Sequence, residues 1–214
     1  MTREVAPSAG PNFRVIYLTG APASGKSSVT RDLAAVVSPL EIFEYGERLT
    51  SYLAVRQEPG LTQESIRRNS ARIVQPEDVK AVDRLLLRFV VEARSKAHVV
   101  IDTHAVTKER YGFRVTPYSL DDFALLSPDA ICVLFASAEA TIERIEREPA
   151  GRPPLTLWES ALHTGIQGAV AVAYGVGLGI PVHFVNSDRP HHDVVQDVAY
   201  LFRRPGLREG VPAK

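Results

Sequence analysis

The sequence predicts an α/β fold, a three-layer architecture with helices on both sides of a mainly parallel five-stranded sheet. Two observations predict it: five short apolar runs separated by longer segments with helical periodicity, and a glycine-rich loop directly after the first run. Strands that alternate with helices form βαβ units with right-handed crossovers, which place the strands parallel in one sheet. The predicted strands lie at 14–19, 41–45, 98–101, 130–136 and 181–185.

Three of the predicted helices have individual support. Apolar residues recur at helical spacing after the glycine-rich loop, starting at Val29. Pro76 suits the first position of a second helix, whose apolar residues form one stripe. Thr156 and Glu159 have the spacing of a capping box, which predicts a third helix that continues through about Tyr174.

Length and composition limit the classes of function. With 214 residues the chain is long enough for one well-buried core and short for two domains of ordinary size. We expect one domain at 13–203, a disordered N-terminal segment at 1–12 and a flexible tail at 204–214. The 25 Lys and Arg residues balance the 25 Asp and Glu residues. No overall positive field therefore attracts nucleic acid or an anionic membrane surface.

Two further features predict a location in the reducing cytoplasm. The single cysteine, Cys132, excludes an intrachain disulfide and lies in an apolar run, which is typical of a small core residue. The N-terminal residues lack the apolar core of a signal peptide, and no segment has the roughly 18 uninterrupted apolar residues of a membrane helix. We therefore expect a soluble protein with no membrane partner; the sequence says nothing about its oligomeric state.

The loop GAPASGKSS, residues 20–28, points most directly to function. It matches the pattern G-x-x-x-x-G-K-[ST], with a predicted strand before it and a predicted helix after it. Its main-chain N–H groups and the positive end of the following helix would surround phosphate oxygens. A lysine–serine pair has no purpose in an ordinary turn, so the loop predicts binding of ATP or GTP. The expected ligands of the ATP phosphates are Gly20, Ala23, Ser24, Gly25, Lys26, Ser27 and Ser28.

A magnesium ion is expected between Ser27 and Asp102. The serine of this loop pattern ligates Mg²⁺, and an aspartate at the end of a neighbouring strand holds the metal directly or through water. The run HVVIDTH ends an apolar strand with Asp102. The alternative is a strand-end aspartate that only stabilises a turn. His104 is more typical of a hydrogen-bonding scaffold than of a catalyst.

These residues resemble the archaeal-type adenylate kinases, a branch of the P-loop nucleoside-monophosphate kinases, over about 15–186. The shared features are the glycine-rich loop, Tyr45-Gly46, Asp102-Thr103-His104, Lys108, Gly112-Phe113, Ser127-Pro128-Asp129, Arg144, His163 and Ala173-Tyr174-Gly175. Their order and spacing together are more specific than any one of them. The resemblance implies a P-loop NTPase fold and transfer of the γ-phosphoryl group of Mg-ATP to AMP or a related nucleoside monophosphate.

The resemblance also implies where the acceptor would bind. Residues 46–96 correspond to a helical acceptor-binding insertion, and Arg72 falls on the arginine that grips the acceptor phosphate. Arg67 and Arg68 are rivals for this role, and a solvated helix face is an equally good interpretation of all three. The other expected acceptor contacts are Tyr45, Gly46, His104 and Arg114.

A short lid is implied at 146–155. Arg144, Arg147 and Arg152 are available to fold over the triphosphate, because a planar guanidinium can bind two phosphate oxygens at once. Each of them could equally be a surface residue that contributes only to solubility. The expected catalytic residues are Lys26, Asp102, Arg72, Arg144 and Arg152.

The chain departs from the family pattern after the lid. An arginine implied there falls on Gly168, next to Gln167, so one phosphate ligand is expected to be lost. Losing such a charged donor costs on the order of a hundredfold in rate, and Arg114 is the expected substitute. Gly165 and Gly168 each cost a helix about 1 kcal/mol relative to alanine, which predicts a local break or close packing.

Two other functions remain open. One is phosphoryl transfer to another nucleotide, a metabolite hydroxyl or a nucleic-acid end, with Asp102 as the base if the acceptor is a hydroxyl. The other is a nucleotide-dependent switch without catalysis, which the loss of an arginine at Gly168 favours. The guanine-reading pattern N-K-x-D is replaced by Asn186-Ser187-Asp188, and the absent lysine favours adenine as the donor base.

Overall fold

The computed structural model describes residues 13–56 and 60–203. The segments expected to be disordered or flexible, at 1–12 and 204–214, lie outside the described residues. Five parallel strands form the central sheet. They are β1 (Val15–Thr19), β2 (Leu40–Glu44), β3 (His98–Asp102), β6 (Ala130–Phe135) and β7 (Val182–Asn186), in the order β2-β3-β1-β6-β7. Each bound lies within one residue of the predicted bound, so the predicted sheet is confirmed.

A small antiparallel hairpin was not predicted. It consists of β4 (Val106–Glu109) and β5 (Gly112–Val115), directly after the end of β3. Neither strand is a continuous apolar run, and polar and apolar residues are mixed in both. The pattern that identified the buried strands therefore had nothing to detect here.

Helices cover both faces of the sheet. They also make up most of the region 46–96, which was expected to be a helical insertion. In chain order they are α1 (Lys26–Leu33), α2 (Tyr45–Arg56), α3 (Gln63–Arg68), α4 (Ser70–Ile73), α5 (Pro76–Ala93), α6 (Leu120–Leu126), α7 (Ala138–Arg147), α8 (Leu157–Leu178) and α9 (His191–Tyr200). Helix α5 begins at Pro76 as predicted, and Thr156 caps α8 in the predicted capping box with Glu159.

The core has two halves because successive residues of a strand point to opposite faces of the sheet. On one face, Ile16 and Leu18 of β1 pack with residues of α1 and α9. On the other face, Val15 and Tyr17 pack with residues of α5, α6 and α8. Cys132 is fully buried in the first half, as the sequence predicted. The three-layer α/β fold is therefore confirmed.

Helix α8 continues without a break through Gly165 and Gly168. A Cβ atom on Gly168 would lie 3.0 Å from Cε1 of Phe184 on β7, so close packing explains this glycine, whereas nothing lies within 4 Å of a Cβ on Gly165. Among the described helices, α8 alone is long and apolar enough to cross a membrane by length and composition. This is weak evidence, because a core helix meets the same criterion, and His163, Ala171 and other residues of α8 are buried in this fold.

Candidate active site

The phosphate loop joins the end of β1 to the start of α1. A Cβ atom on Gly20 would lie 2.3 Å from the carbonyl oxygen of Leu134, and Gly25 has a φ of 91° in the left-handed region, so both positions require glycine. The Nζ atom of Lys26 donates to the carbonyl oxygen of Gly20 at 2.9 Å. The hydroxyl of Ser24 is buried without a hydrogen-bond partner among the described residues. The loop therefore has unused hydrogen-bonding capacity for an anionic ligand.

Asp102 lies beside this loop, at the carboxyl end of β3. The strand register pairs Asp102 with Leu18 on one side and with Glu44 on the other, so three strand ends meet here. Asp102 is only 8% exposed, and burial raises its pKa to about 6, while Lys26 acts in the opposite direction and Glu44 raises it further. Burial likewise lowers the pKa of Lys26, and the Asp102 carboxylate opposes that change.

The oxygen atoms at this point suit a magnesium ion. Ser27 is exposed in the cavity and Asp102 supplies a carboxylate, and both are the hard oxygen ligands that Mg²⁺ prefers. The described part of the chain has no group of three or more His, Cys, Asp or Glu side chains that could hold a metal ion. Mg²⁺ in kinases needs no such cage, because substrate phosphates and water complete its coordination. The residues present therefore fit Mg²⁺ bound together with a nucleotide.

The loop and Asp102 line one side of a cavity of about 760 Å³. The opposite side is formed by the start of α2, by α3 and α4, by α5 and by the hairpin. The segment after α7 closes it from above: Ala150, Arg152 and Pro153 line the cavity, and a Cβ on Gly151 would lie 2.5 Å from the carbonyl oxygen of Glu64 on α3. The segment expected to be a lid thus contacts the helical region directly.

Two arginines converge inside this cavity. Arg67 donates to Oε1 of Gln63 at 2.7 Å and to the carbonyl oxygen of Ala150 at 3.1 Å, and Arg152 donates to the carbonyl oxygen of Glu148 at 3.1 Å. Burial lowers the pKa of Arg67, and the positive charge of Arg152 lowers it further. Burial also lowers the pKa of Arg152. Two partly desolvated cations near one another create a site for an anion.

Arg72, expected to grip the acceptor phosphate, is exposed and is not among the residues that line the cavity. The chain turns between α3 and α4, so that Arg67 faces inward and Arg72 faces solvent. The structure thus favours Arg67, one of the two rivals weighed from the sequence. Arg68 is also exposed and pairs with Glu64 on its own helix at 3.8 Å.

Arg144 lines the cavity but its guanidinium is held by other groups. It donates to the carbonyl oxygen of Ala23 in the phosphate loop at 3.2 Å. It also donates to the Ser187 carbonyl oxygen at 2.9 Å and forms an ion pair with Asp188 at 3.1 Å. Arg144 therefore links the phosphate loop to the segment after β7. This arrangement positions the loop, and the direct phosphate contact expected from the sequence stays a prediction.

The remaining expected acceptor contacts all line the same cavity. Arg114 extends from the hairpin, donates to the hydroxyl of Ser70 at 2.9 Å and pairs with Glu109 at 3.2 Å. His104 faces the cavity, where its enclosure lowers its pKa and the charge of Lys26 lowers it further. Tyr45 and Gly46 begin α2 at the carboxyl end of β2.

Gln167 was not recognised as a site residue from the sequence. It is buried on α8, its Oε1 accepts from the Val106 amide at 3.1 Å, and its Nε2 donates to Oγ1 of Thr19 at 2.9 Å. It therefore ties the hairpin to the end of β1, next to the phosphate loop. A glutamine on the buried face of an apolar helix predicts such a polar link, because a buried amide group needs hydrogen-bond partners.

The neighbouring position, Gly168, faces the other way. A Cβ atom at position 168 would point toward Phe184 of β7. Gly168 is not among the residues that line the cavity. A side chain at position 168 would therefore start toward β7, and the expected loss of a phosphate ligand there stays a prediction. Helix geometry separates the two faces, because adjacent residues lie about 100° apart around the axis.

Three comparisons with known proteins show which family and which fold the chain resembles. Residues 19–159 match the model of a family described as AAA domain. The chain is similar to the adenylate kinase of Methanothermobacter thermautotrophicus, with 27% identity over 178 residues that cover 82% of this chain and 91% of the relative. It is also similar to the adenylate kinase of Methanococcus vannielii, with 25% identity over 180 residues, 81% of this chain and 89% of the relative.

Among solved structures, the fold is similar to that of a sugar kinase from Janibacter sp., with a TM-score of 0.53. The sequences are 16% identical, and the match covers 88% of this chain and 94% of the other. At this identity the likeness shows the fold alone. The resemblance to archaeal-type adenylate kinases is confirmed by the sequence relatives.

Proposed function

The chain belongs to the AAA domain family and is a P-loop kinase, and from this premise we propose that it transfers the γ-phosphoryl group of ATP to a nucleoside monophosphate, AMP in the first place. The observation that carries this proposal is the convergence of Arg67 and Arg152 in the cavity that the phosphate loop also lines. An acceptor that is itself a phosphate suits such a pair of cations. The relatives named adenylate kinase support AMP as the first acceptor to test.

The donor side of the reaction uses the loop at 20–28. Its main-chain N–H groups and the N-terminus of α1 would hold the donor phosphates, and Lys26 would leave the carbonyl of Gly20 to contact them. Ser27 and Asp102 would hold Mg²⁺, which neutralises phosphate charge when it is bound. Arg144 would keep the loop in place through the carbonyl of Ala23.

The acceptor side uses Arg67 in place of Arg72, with Tyr45, Gly46, His104 and Arg114 as further contacts around the cavity. An acceptor phosphate is already anionic, so no general base is required and the residues act by positioning and by neutralising charge. Arg152 lies on the closing segment, where it would share the charge that develops during transfer. The contact between Gly151 and Glu64 would exclude water from the transferred group.

The test is a panel of acceptors incubated with radiolabelled ATP and Mg²⁺. Labelled diphosphate is expected with at least one of AMP, CMP, GMP, UMP and IMP, and AMP is the acceptor expected first. Gluconate and simple sugars form the second arm, because a solved structure with this fold is named a sugar kinase. A hydroxyl acceptor would need a base, and Asp102, with its raised pKa, is the group available.

Two outcomes would overturn the proposal. One is labelling of a sugar without labelling of any nucleoside monophosphate. The other is ATP binding, measured by calorimetry, without turnover on any acceptor, which would instead support a nucleotide-dependent switch. A thermal-shift screen with AMP, CMP, GMP, ATP and GTP complements the panel, because a ligand that binds the native state raises its apparent stability.

A further inference from the structure

A carboxyl group lies on the acceptor side of the cavity, away from the expected phosphate contacts. It belongs to Asp83 on α5, which lines the cavity together with Tyr45 and Tyr118. The hydroxyl of Tyr45 donates to Oδ1 of Asp83 at 2.8 Å, and the Tyr118 side chain lies close enough to lower the pKa of the same carboxyl group. Neither the phosphate loop nor the arginine pair of the proposed mechanism uses this group.

The walls around Asp83 are apolar and aromatic. Leu49 of α2 and Val79 of α5 line the cavity beside it, and the rings of Tyr45 and Tyr118 flank the carboxyl group. Apolar and aromatic walls with one precisely held polar group are typical of a site for a flat, heteroaromatic ring. This end of the cavity therefore has the character of a nucleobase site.

Asp83 keeps hydrogen-bonding capacity that the protein does not use. A carboxylate offers about four lone-pair sites, and the Tyr45 hydroxyl occupies one of them. No Lys, Arg or His nitrogen lies within 4.0 Å of Asp83 in the part of the chain that the structure describes, and Arg84 next to it is exposed. Burial raises the pKa of Asp83, and the two tyrosine side chains oppose that change.

The carboxyl group of Asp83 is half-buried, so its charged form loses part of its hydration. Neighbouring positions of α5, Val82 and Leu86, are fully buried in the core, and an apolar residue at position 83 would avoid the desolvation of a carboxylate. The hydrogen bond from Tyr45 holds the group in one orientation, which fixes the direction of its remaining lone pairs. The arrangement is that of a hydrogen-bond acceptor prepared for a donor on the ligand.

We infer that Asp83 determines specificity for the acceptor base, by accepting a hydrogen bond from an exocyclic amino group. The inference rests on the proposed function, since it assigns a base site to the acceptor of that reaction. An amino group donates to a carboxyl oxygen, whereas the keto oxygen of the corresponding oxo base would face Asp83 with no proton between two acceptors. The enzyme should therefore prefer an amino base to its oxo counterpart.

Two pairs of nucleotides isolate this difference. AMP and IMP differ at position 6 of the purine, and CMP and UMP differ at position 4 of the pyrimidine, with little change in size. A polar group left unpaired in a closed site lowers the rate by roughly five- to a hundredfold. We consider the pair that the wild-type enzyme accepts better. Within that pair, kcat/KM for the amino nucleotide should exceed kcat/KM for the oxo nucleotide by about tenfold or more.

The variant Asp83→Asn tests the inference, because an amide offers a donor where the carboxylate offers only acceptors. The ratio of kcat/KM between the amino and oxo members should fall by about tenfold or more, with relatively faster turnover of the oxo member. Asp121→Asn is the matched control, since Asp121 is exposed on α6 and does not line the cavity. An unchanged ratio in Asp83→Asn overturns the inference.

Failure of the inference and failure of the proposed function can be told apart. If no nucleoside monophosphate is phosphorylated, the proposed function fails, and calorimetric binding of AMP against IMP then tests the base site by itself. Equal affinity of the wild-type protein for the two nucleotides overturns the inference. If Asp83→Asn does not fold, Tyr45→Phe removes the hydrogen bond that orients the carboxyl group. That variant should lower the same ratio, and an unchanged ratio would again contradict the inference.

Discussion

The donor and acceptor sides of the cavity are built from contacts of very different sequence separation. On the donor side, the Lys26 ammonium contacts the Gly20 carbonyl only six residues away. On the acceptor side, Tyr45 contacts Asp83 across 38 residues, and Arg67 contacts Ala150 across 83 residues. The phosphate loop of the donor side is therefore formed within one strand, loop and helix, with Asp102 and Arg144 added from elsewhere in the chain, whereas the acceptor side exists only when four separate parts of the chain pack together.

Because of this difference, binding of the donor phosphates and choice of the acceptor depend on different residues. A loop whose geometry depends on its own glycines can hold phosphates in many proteins with the same fold. The acceptor side depends on which residues of α2, α3, α5 and the lid face inward, so substitutions there can alter the acceptor without disturbing the donor. Four predictions test this separation, in order of decreasing expected effect.

Lys26→Ala should have the largest effect, on turnover alone. Removing the ammonium leaves the phosphate charge without its closest side-chain partner, which costs roughly a thousandfold in kcat. The melting temperature should stay near that of the wild type, because the glycines that shape the loop are unchanged. Lys80→Ala is the control, since Lys80 is exposed on α5. Turnover close to wild type in Lys26→Ala would remove the assignment of the donor site.

Asp102→Asn should lower kcat about a hundredfold and raise stability at neutral pH. The native pKa of Asp102, about 6, lies above the ordinary value of 3.8, so the native state binds a proton more tightly than the unfolded state. Protonation of Asp102 therefore raises the free energy of unfolding as the pH falls from about 6 to 4. Above pH 6 the buried carboxylate lowers the free energy of unfolding by up to about 3 kcal/mol.

The stability difference between Asp102→Asn and the wild type should accordingly be largest above pH 6 and disappear below about pH 4. Urea unfolding at pH 7.5 and pH 4 measures it. A variant that is less stable than the wild type at pH 7.5 would contradict the expected cost of burying this carboxylate.

Arg67→Met and Arg72→Met compare the two candidates for the acceptor phosphate. Arg67 faces the cavity and Arg72 does not, so Arg67→Met should raise the KM for the accepted nucleotide by roughly ten- to a hundredfold. Arg72→Met should change it by less than about twofold. Methionine preserves most of the side-chain length without the charge. The reverse ranking, measured by steady-state kinetics at saturating ATP, would restore the assignment drawn from sequence resemblance.

Gly168→Arg should have the smallest effect on the reaction. It introduces the arginine that the family pattern implies, yet position 168 points toward Phe184, so kcat/KM should not increase. Crowding against Phe184 should instead lower stability by about 1–3 kcal/mol. Gly165→Arg is the matched control. The space around position 165 is open, and arginine has a higher helix propensity than glycine. A tenfold gain in turnover of AMP by Gly168→Arg would show that a ligand had indeed been lost there.

The sequence could predict those parts of the site that depend on local structure. The five strands of the sheet, the start of α5 and the capping box of α8 were located within about one residue, because each depends on a short-range pattern of apolar, proline or capping residues. The loop at 20–28 and Asp102 were selected as the donor site for the same reason. Their positions at adjoining strand ends follow from parallel pairing alone.

The tertiary structure decided what the sequence left open on the acceptor side. Arg67 was preferred to Arg72 only once α3 and α4 had packed against the lid. The direction of Gln167 toward Thr19 and of Gly168 toward Phe184 follows from the rotation of α8 against the sheet, which a helical pattern containing two glycines does not specify. Asp83 has no recognisable signal in the sequence, because its contact with Tyr45 spans 38 residues. Contacts across tens of residues depend on the packing of whole elements, whereas a phosphate loop depends on its own backbone.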